Sequence, residues 1–215
     1  YGSGIATLVV NGGTIHTSYG GSNSKGRGEA QLASSYSAMF DDCDMLVAQT
    51  YGGGKNAYSD ADAEVSADCA KGVEEMFGGS RDADFNGNIN LTITNGSSLK
   101  RVFGGNNTSG AVNGSITVTI KEGGCEPIRI DELYLGGFLA PYSVYGYEKN
   151  EDGSYKTESV SYIDENEETQ SKEQRIPLES GERLYNDPRI NVISATYIGN
   201  IFGGGYQAKL VGNPH

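Results

Sequence analysis

Short runs in which apolar and polar residues alternate recur along the chain, set apart by glycines. The clearest are Ile89-Asn-Leu-Thr-Ile93 and Ile116-Thr-Val-Thr-Ile120, with Thr7-Leu-Val-Val10 as the same element near the start. Alternation of β-branched and polar residues predicts strands with one buried face. A glycine-rich turn follows each of them: Asn11-Gly-Gly13, Asn95-Gly96 and Glu122-Gly-Gly124. A second short strand then follows, as in Thr14-Ile-His-Thr-Ser-Tyr19, Leu99-Lys-Arg-Val-Phe103 and Thr196-Tyr-Ile-Gly-Asn-Ile-Phe202.

Most of these second strands run into an aromatic or leucine followed by two glycines. The six copies begin at Tyr19, Tyr51, Phe77, Phe103, Leu135 and Phe202, with spacings of 32, 26, 26, 32 and 67 residues. A recurring period of this size means stacked supersecondary units, none of which buries its apolar face alone. The expected fold is therefore all-β, a right-handed parallel β-helix with corner glycines. The residue before each Gly-Gly is expected to point inward and stack on its equivalents, forming a structural ladder of Tyr19, Tyr51, Phe77, Phe103, Leu135 and Phe202. A propeller is the rival, but its blades take about 40–50 residues.

From 138 to 195 the repeat is interrupted. Glu151-Asp152-Gly153, flanked by tyrosine-bearing segments, reads as a β-hairpin turn. Asp164-Glu-Asn-Glu-Glu168 reads as an acidic loop. The whole stretch is expected to project from the stack, adding no coil. Long insertions on one face of such stacks are often binding faces, so Tyr142, Tyr145, Tyr147, Tyr155 and Tyr162 are candidate binding residues. A solvated decoration is the alternative.

Charge narrows the partners. The formal net charge is −12 and the pI about 4.5, so a nucleic-acid partner is not expected. No apolar run is long enough to span a membrane. Both ends fall inside a repeat, so residues 1–215 are expected to be one segment of a longer repeat protein. Cys43 and Cys69 each precede their aromatic-Gly-Gly by eight residues, which places them as neighbours, expected as a reduced, buried pair. Cys125 does not align with them.

Candidate chemistry is sparse. Asp82-Ala-Asp84-Phe-Asn86-Gly87 imitates a calcium loop, but its twelfth position is Ile93 where a bidentate glutamate belongs. No metal or cofactor is expected, beyond a weak Ca²⁺ contact. Asp41, Asp42 and Asp44, and Asp60, Asp62 and Glu64, are acidic clusters read as solvated surface. Convergent carboxylates would be needed for a carbohydrate-active enzyme, and no spacing here demands that they converge. His16 lies in a strand and reads as packing.

Val102-Phe-Gly-Gly-Asn-Asn107, Leu139-Ala-Pro-Tyr-Ser-Val-Tyr-Gly-Tyr147 and Ile201-Phe-Gly-Gly-Gly-Tyr-Gln-Ala-Lys-Leu-Val-Gly-Asn-Pro214 resemble repeats of very large surface proteins of gut anaerobic bacteria. The resemblance covers most of the chain and implies export, a β-helical stalk and an adhesin-like, non-enzymatic role. Implied partners are a host or microbial glycan or surface protein, and neighbouring repeats of the parent chain. No catalytic residues come with it.

Overall fold

The computed structural model describes residues 6–23, 36–40, 45–123, 127–164 and 166–215. Among them every regular element is a strand. In chain order these are β1 (Ala6–Val10), β2 (Gly13–Tyr19), β3 (Tyr36–Phe40), β4 (Met45–Tyr51), β5 (Ala63–Asp68), β6 (Lys71–Phe77), β7 (Ile89–Thr94) and β8 (Ser98–Phe103). Then come β9 (Ile116–Lys121), β10 (Arg129–Tyr134), β11 (Tyr142–Ser143), β12 (Thr157–Ile163), β13 (Thr169–Arg175), β14 (Arg189–Ser194), β15 (Tyr197–Phe202) and β16 (Leu210–Val211).

The chain is all-β with parallel sheets, as the alternation predicts. Successive strands fall alternately into two six-stranded sheets. The first has the order β1-β3-β5-β7-β9-β14 and the second β2-β4-β6-β8-β10-β15. Every pairing within them is parallel. Equivalent residues line up in ranks across each sheet: Val65 pairs with Leu91, and Leu91 with Val118. On the second sheet Val47, Val73, Leu99 and Ile130 form one rank, and Met76, Val102 and Leu133 another. These ranks meet those of the first sheet in one apolar core, joined by Phe85, Val112, Tyr142 and Val144. Burial of each such side chain stabilises by roughly 1.5–3 kcal/mol.

The aromatic stack is real, but its position differs from the expectation in two ways. Tyr19, Tyr51, Phe77, Phe103, Tyr134 and Phe202 stack face to face, with ring centroids 4.9, 4.8, 4.7, 4.9 and 4.6 Å apart. Leu135 is not a member. Its backbone N–H donates to Phe202 O just as that of Gly104 donates to Tyr134 O, so Leu135 takes the place of the first glycine. Its side chain enters the main core. Nor does the stack face that core. Neighbouring strand residues point to opposite faces, and Met76, Val102 and Leu133 hold the inner one. Tyr51, Phe77, Phe103 and Tyr134 form a second buried cluster, with Phe138 packed edge-on against Phe103 at 5.6 Å.

Close stacking explains the glycines behind the aromatics. A Cβ at Gly78 would lie 2.4 Å from Ile89 Cγ2 and 2.5 Å from Gly104 O. Both approaches are far inside contact distance, so only glycine lets the next strand end sit this close.

The interruption is shorter than residues 138–195. Leu139, Ala140, Tyr142 and Val144 are buried, β11 pairs parallel with β16, and β14 belongs to the first sheet. Between them the Asp152-Gly153 turn forms as expected: Asn150 N donates to Ser154 O at 2.8 Å, and Gly153 has φ +83°. Asp164 to Glu168 is not a free loop. It closes the antiparallel hairpin β12–β13, with the Asp164 carboxylate accepting from Asn166 N and Glu168 N at 2.9 Å each. The Glu168 N–H is the main reason its carboxyl titrates below the usual range.

That hairpin lies back on the stack through polar contacts. Arg175 pairs with Asp84 at 2.8 Å and sits 3.8 Å over the Tyr155 ring. Lys172 lies 3.7 Å from Asp82. The buried Gln174 amide donates to Leu139 O.

Candidate binding cleft

The cleft arises where the chain returns from the hairpin to the first sheet. Its volume is about 890 Å³, within the ordinary range for small-ligand sites. Three parts of the molecule build it. The floor is the outer face of the first sheet, where Thr117 pairs with Arg189 and Thr119 with Asn191. One side is the turns before β7 and β9, bearing Asn86, Asn88, Asn113 and Ser115. The facing wall is the returning segment, with Arg183, Tyr185 and Asp187.

The asparagines are aligned by the stacking of successive turns. Asn86 Nδ2 donates to Asp60 Oδ1 at 2.6 Å, and Asn113 Nδ2 donates to Asn86 Oδ1 at 2.7 Å. Asn88 Oδ1 accepts from Ser115 N at 2.9 Å. Each amide is thus held in one orientation by the turn beside it. The side-chain oxygen of Asn113, at the end of its row, has no described partner.

The wall is pinned by its own backbone. Leu184 N and Tyr185 N both donate to Val144 O, at 2.9 and 3.3 Å. Asp187 accepts from Asn213 N at 3.0 Å and from Arg183 Nη1 at 2.6 Å. The Asn213 N–H, then Arg183, hold its carboxyl below the usual carboxylate range. Arg183 is held in its charged form by Asp187 first and the Tyr145 hydroxyl second. The one side-chain carboxylate of the cleft is therefore satisfied internally, with the His215 ring 3.7 Å away as a further neighbour. Arg189 is exposed and enters no described ion pair.

A second depression, about 900 Å³, runs along the outer face of the second sheet. Part of its charge is paired within it. Glu75, Arg101 and Glu132 are successive members of one rank. Glu75 pairs with Arg101 and accepts from Gln49 Nε2 at 2.8 Å. Glu132 accepts the Tyr134 hydroxyl at 3.0 Å.

The candidate tyrosines do not converge on a binding face. Tyr142 and Tyr147 are buried, with hydroxyls donated at 3.0 Å to Gly114 O and Pro141 O; burial pushes both phenols well above their ordinary range. Tyr155 packs edge-on against Tyr147 and under Arg175. Tyr145 and Tyr162 are half-buried. None of the five lines the cleft.

The acidic clusters are likewise accounted for by stacking. Asp60, Asp62 and Glu64 each accept from Asn86, Asn88 or Asn90, at 2.6, 2.6 and 2.7 Å. Asp82 and Asp84 hold the hairpin cations. Asp41, Asp42 and Asp44 lie outside the described residues. Cys69 contradicts the expectation of a reduced pair: it is disulfide-bonded, and its partner lies outside the described residues, as do Cys43 and Cys125.

The cleft residues were legible only as turns. Asn86-Gly87-Asn88 and Asn113-Gly114-Ser115 repeat one motif 27 residues apart, which is the signal of an amide row. Nothing local to Arg183 or Arg189 says that they face it. Neither a family model, nor a curated protein, nor a solved structure matches the chain.

Proposed function

We propose that this chain is a non-enzymatic, extracellular structural and adhesive module of a bacterial surface protein. In this reading the two parallel sheets are two faces of a right-handed parallel β-helix, each coil giving one strand to each, and the whole is part of a longer stack of such coils. Parallel crossovers of this kind are right-handed almost without exception, and aromatic rings stacked 4.6–4.9 Å apart fit one strand spacing per coil. The hairpin region is then an insertion that builds a binding surface on the stack. The disulfide at Cys69 supports an exported location, since such bonds persist in oxidising compartments. No described helix is long and apolar enough to cross a membrane, and the net charge of −12 still argues against nucleic acid.

The observation that carries the adhesive part is the cleft. Rigid amides, a half-buried tyrosine and arginines suit hydroxyl-rich ligands such as glycans. Incubation of the 215-residue chain with an array of glycans and surface proteins tests this. Saturable binding to a set of saccharides is expected; an array without a single saturable glycan signal would overturn the cleft as a glycan site.

A carbohydrate-active enzyme is the second reading, because Glu74, Glu75, Asp131 and Glu132 line the other groove. Release of shortened or unsaturated sugars from bound polysaccharide would favour it over adhesion.

A further inference from the structure

We infer that the cleft takes a carboxylate-bearing sugar, a uronic or sialic acid, with Arg189 as its anion-binding anchor. This rests on the glycan-binding reading above and narrows it to one ligand class.

The argument starts from charge. The chain carries −12, yet the side chains of this cleft carry two arginines and the His215 imidazole against one aspartate. That aspartate is already bonded to Arg183 and Asn213 N. Arg189 is the arginine of the cleft that enters no ion pair among the described residues. Its place is fixed by the sheet, since it stands in the outward rank Asn90–Thr117–Arg189. An arginine fork on rigid backbone matches a planar carboxylate with two parallel hydrogen bonds, which a lysine cannot do.

The neighbours supply what a sugar ring needs besides its charge. Asn113 offers an unused side-chain oxygen, and Thr117 and Asn191 flank Arg189 on the same face. Tyr185 stands on the opposite wall, fixed through Val144 O. The acidic surface elsewhere does not forbid an anion here. Charges farther off than about 8 Å are largely screened at physiological salt, whereas Arg189 would be in direct contact.

The test titrates the 215-residue chain with oligogalacturonate and with its fully methyl-esterified form, which keeps the sugar rings and caps each carboxylate as an uncharged ester. An array of neutral, carboxylated and sulfated sugars is read in parallel. Oligogalacturonate or a sialylated sugar should bind at least tenfold tighter than neutral or esterified sugars, and the preference should fade with added salt. Arg189→Gln should remove it with an unchanged circular-dichroism melt; Arg189→Lys should restore only part. Asn113→Ala should weaken acidic sugars while leaving the salt dependence intact. Neutral and esterified sugars binding as tightly as acidic ones, with Arg189→Gln changing neither, would overturn the ligand class and leave the glycan-binding reading standing. Preference for sulfated over carboxylated sugars would overturn the carboxylate assignment. Absence of binding to every sugar would remove both.

Discussion

The stacked strands and the hairpin β12–β13 are held by opposite means. The stack buries ranks of Ile, Val, Leu and Met between two sheets and a row of aromatic rings outside one of them. The hairpin buries little and is attached by Arg175–Asp84 and the Gln174 amide, with Lys172 packed 3.7 Å from Asp82. Apolar burial is insensitive to salt and pH, and each large side chain stabilises by kilocalories. Ion pairs near solvent contribute about 1 kcal/mol or less and answer to both. One region should therefore set global stability, while the other should open locally.

The largest effect should come from the aromatic row. Phe103 is fully buried between Phe77 and Tyr134, so Phe103→Ala should cost about 3–5 kcal/mol in denaturant melts. Leu135→Ala should also destabilise, by about 2–5 kcal/mol, through the main core and not through ring stacking. A cost below about 1 kcal/mol for Phe103→Ala would mean that the row is decoration. Next comes the disulfide. Cys69→Ser should lower stability by about 2–4 kcal/mol, checked by melts with and without reductant; the variant should be indifferent to reductant.

On the hairpin side, Arg175→Ala removes both the Asp84 pair and the contact with Tyr155. It should weaken docking by about 1–2 kcal/mol. The readout is faster proteolysis within residues 157–175 at an unchanged global melting temperature. A matching fall in global stability would show the hairpin to be part of the cooperative core.

The smallest effect concerns Lys172. Burial pushes its amine down to about 8, with Asp82 opposing the fall. The undocked hairpin therefore binds more protons between pH 8 and the ordinary lysine range. Docking must strengthen as pH rises through that window. Between pH 7 and 9 the fraction of open hairpin, followed by proteolysis, should drop by up to about tenfold. Lys172→Met should flatten the profile. The measurement stops short of pH 10, where Tyr134, pushed up to about 12 mainly by burial, and the more buried tyrosines begin to oppose it. They keep their protons longer in the folded chain, so stability falls above that point.

The difference between the regions also explains what could be read in advance. Strand positions followed from period-two alternation, which reports burial directly: Ile89-Leu91-Ile93 and Ile116-Val118-Ile120 are core ranks. The aromatic row was legible from Tyr/Phe-Gly-Gly but its face was not, because both faces of the second sheet are covered there. Leu135 misled because Tyr134 immediately precedes it, so that Leu135-Gly136-Gly137 imitates the motif one residue late. The cleft was hidden for another reason. Arg189 and Asn113 are far apart in sequence, and only the register of β14 on β9 and the pinning of Leu184 to Val144 O bring them together. The exposed-tyrosine reading does not hold for Tyr142 and Tyr147, which spend their hydroxyls on backbone carbonyls inside the fold.

The most direct measurement replaces Glu148 to Asn186 with a short Gly-Ser linker and follows two signals on one sample. The β-rich circular-dichroism melt should stay within a few degrees of the intact chain, since loop closure costs little and the apolar core lies elsewhere. Glycan binding should vanish, because the wall bearing Arg183, Tyr185 and Asn186 is gone. Loss of the cooperative melt would contradict the division into a self-sufficient stack and an attached hairpin. Binding retained at full strength would contradict the placement of the site at the wall the hairpin region supplies.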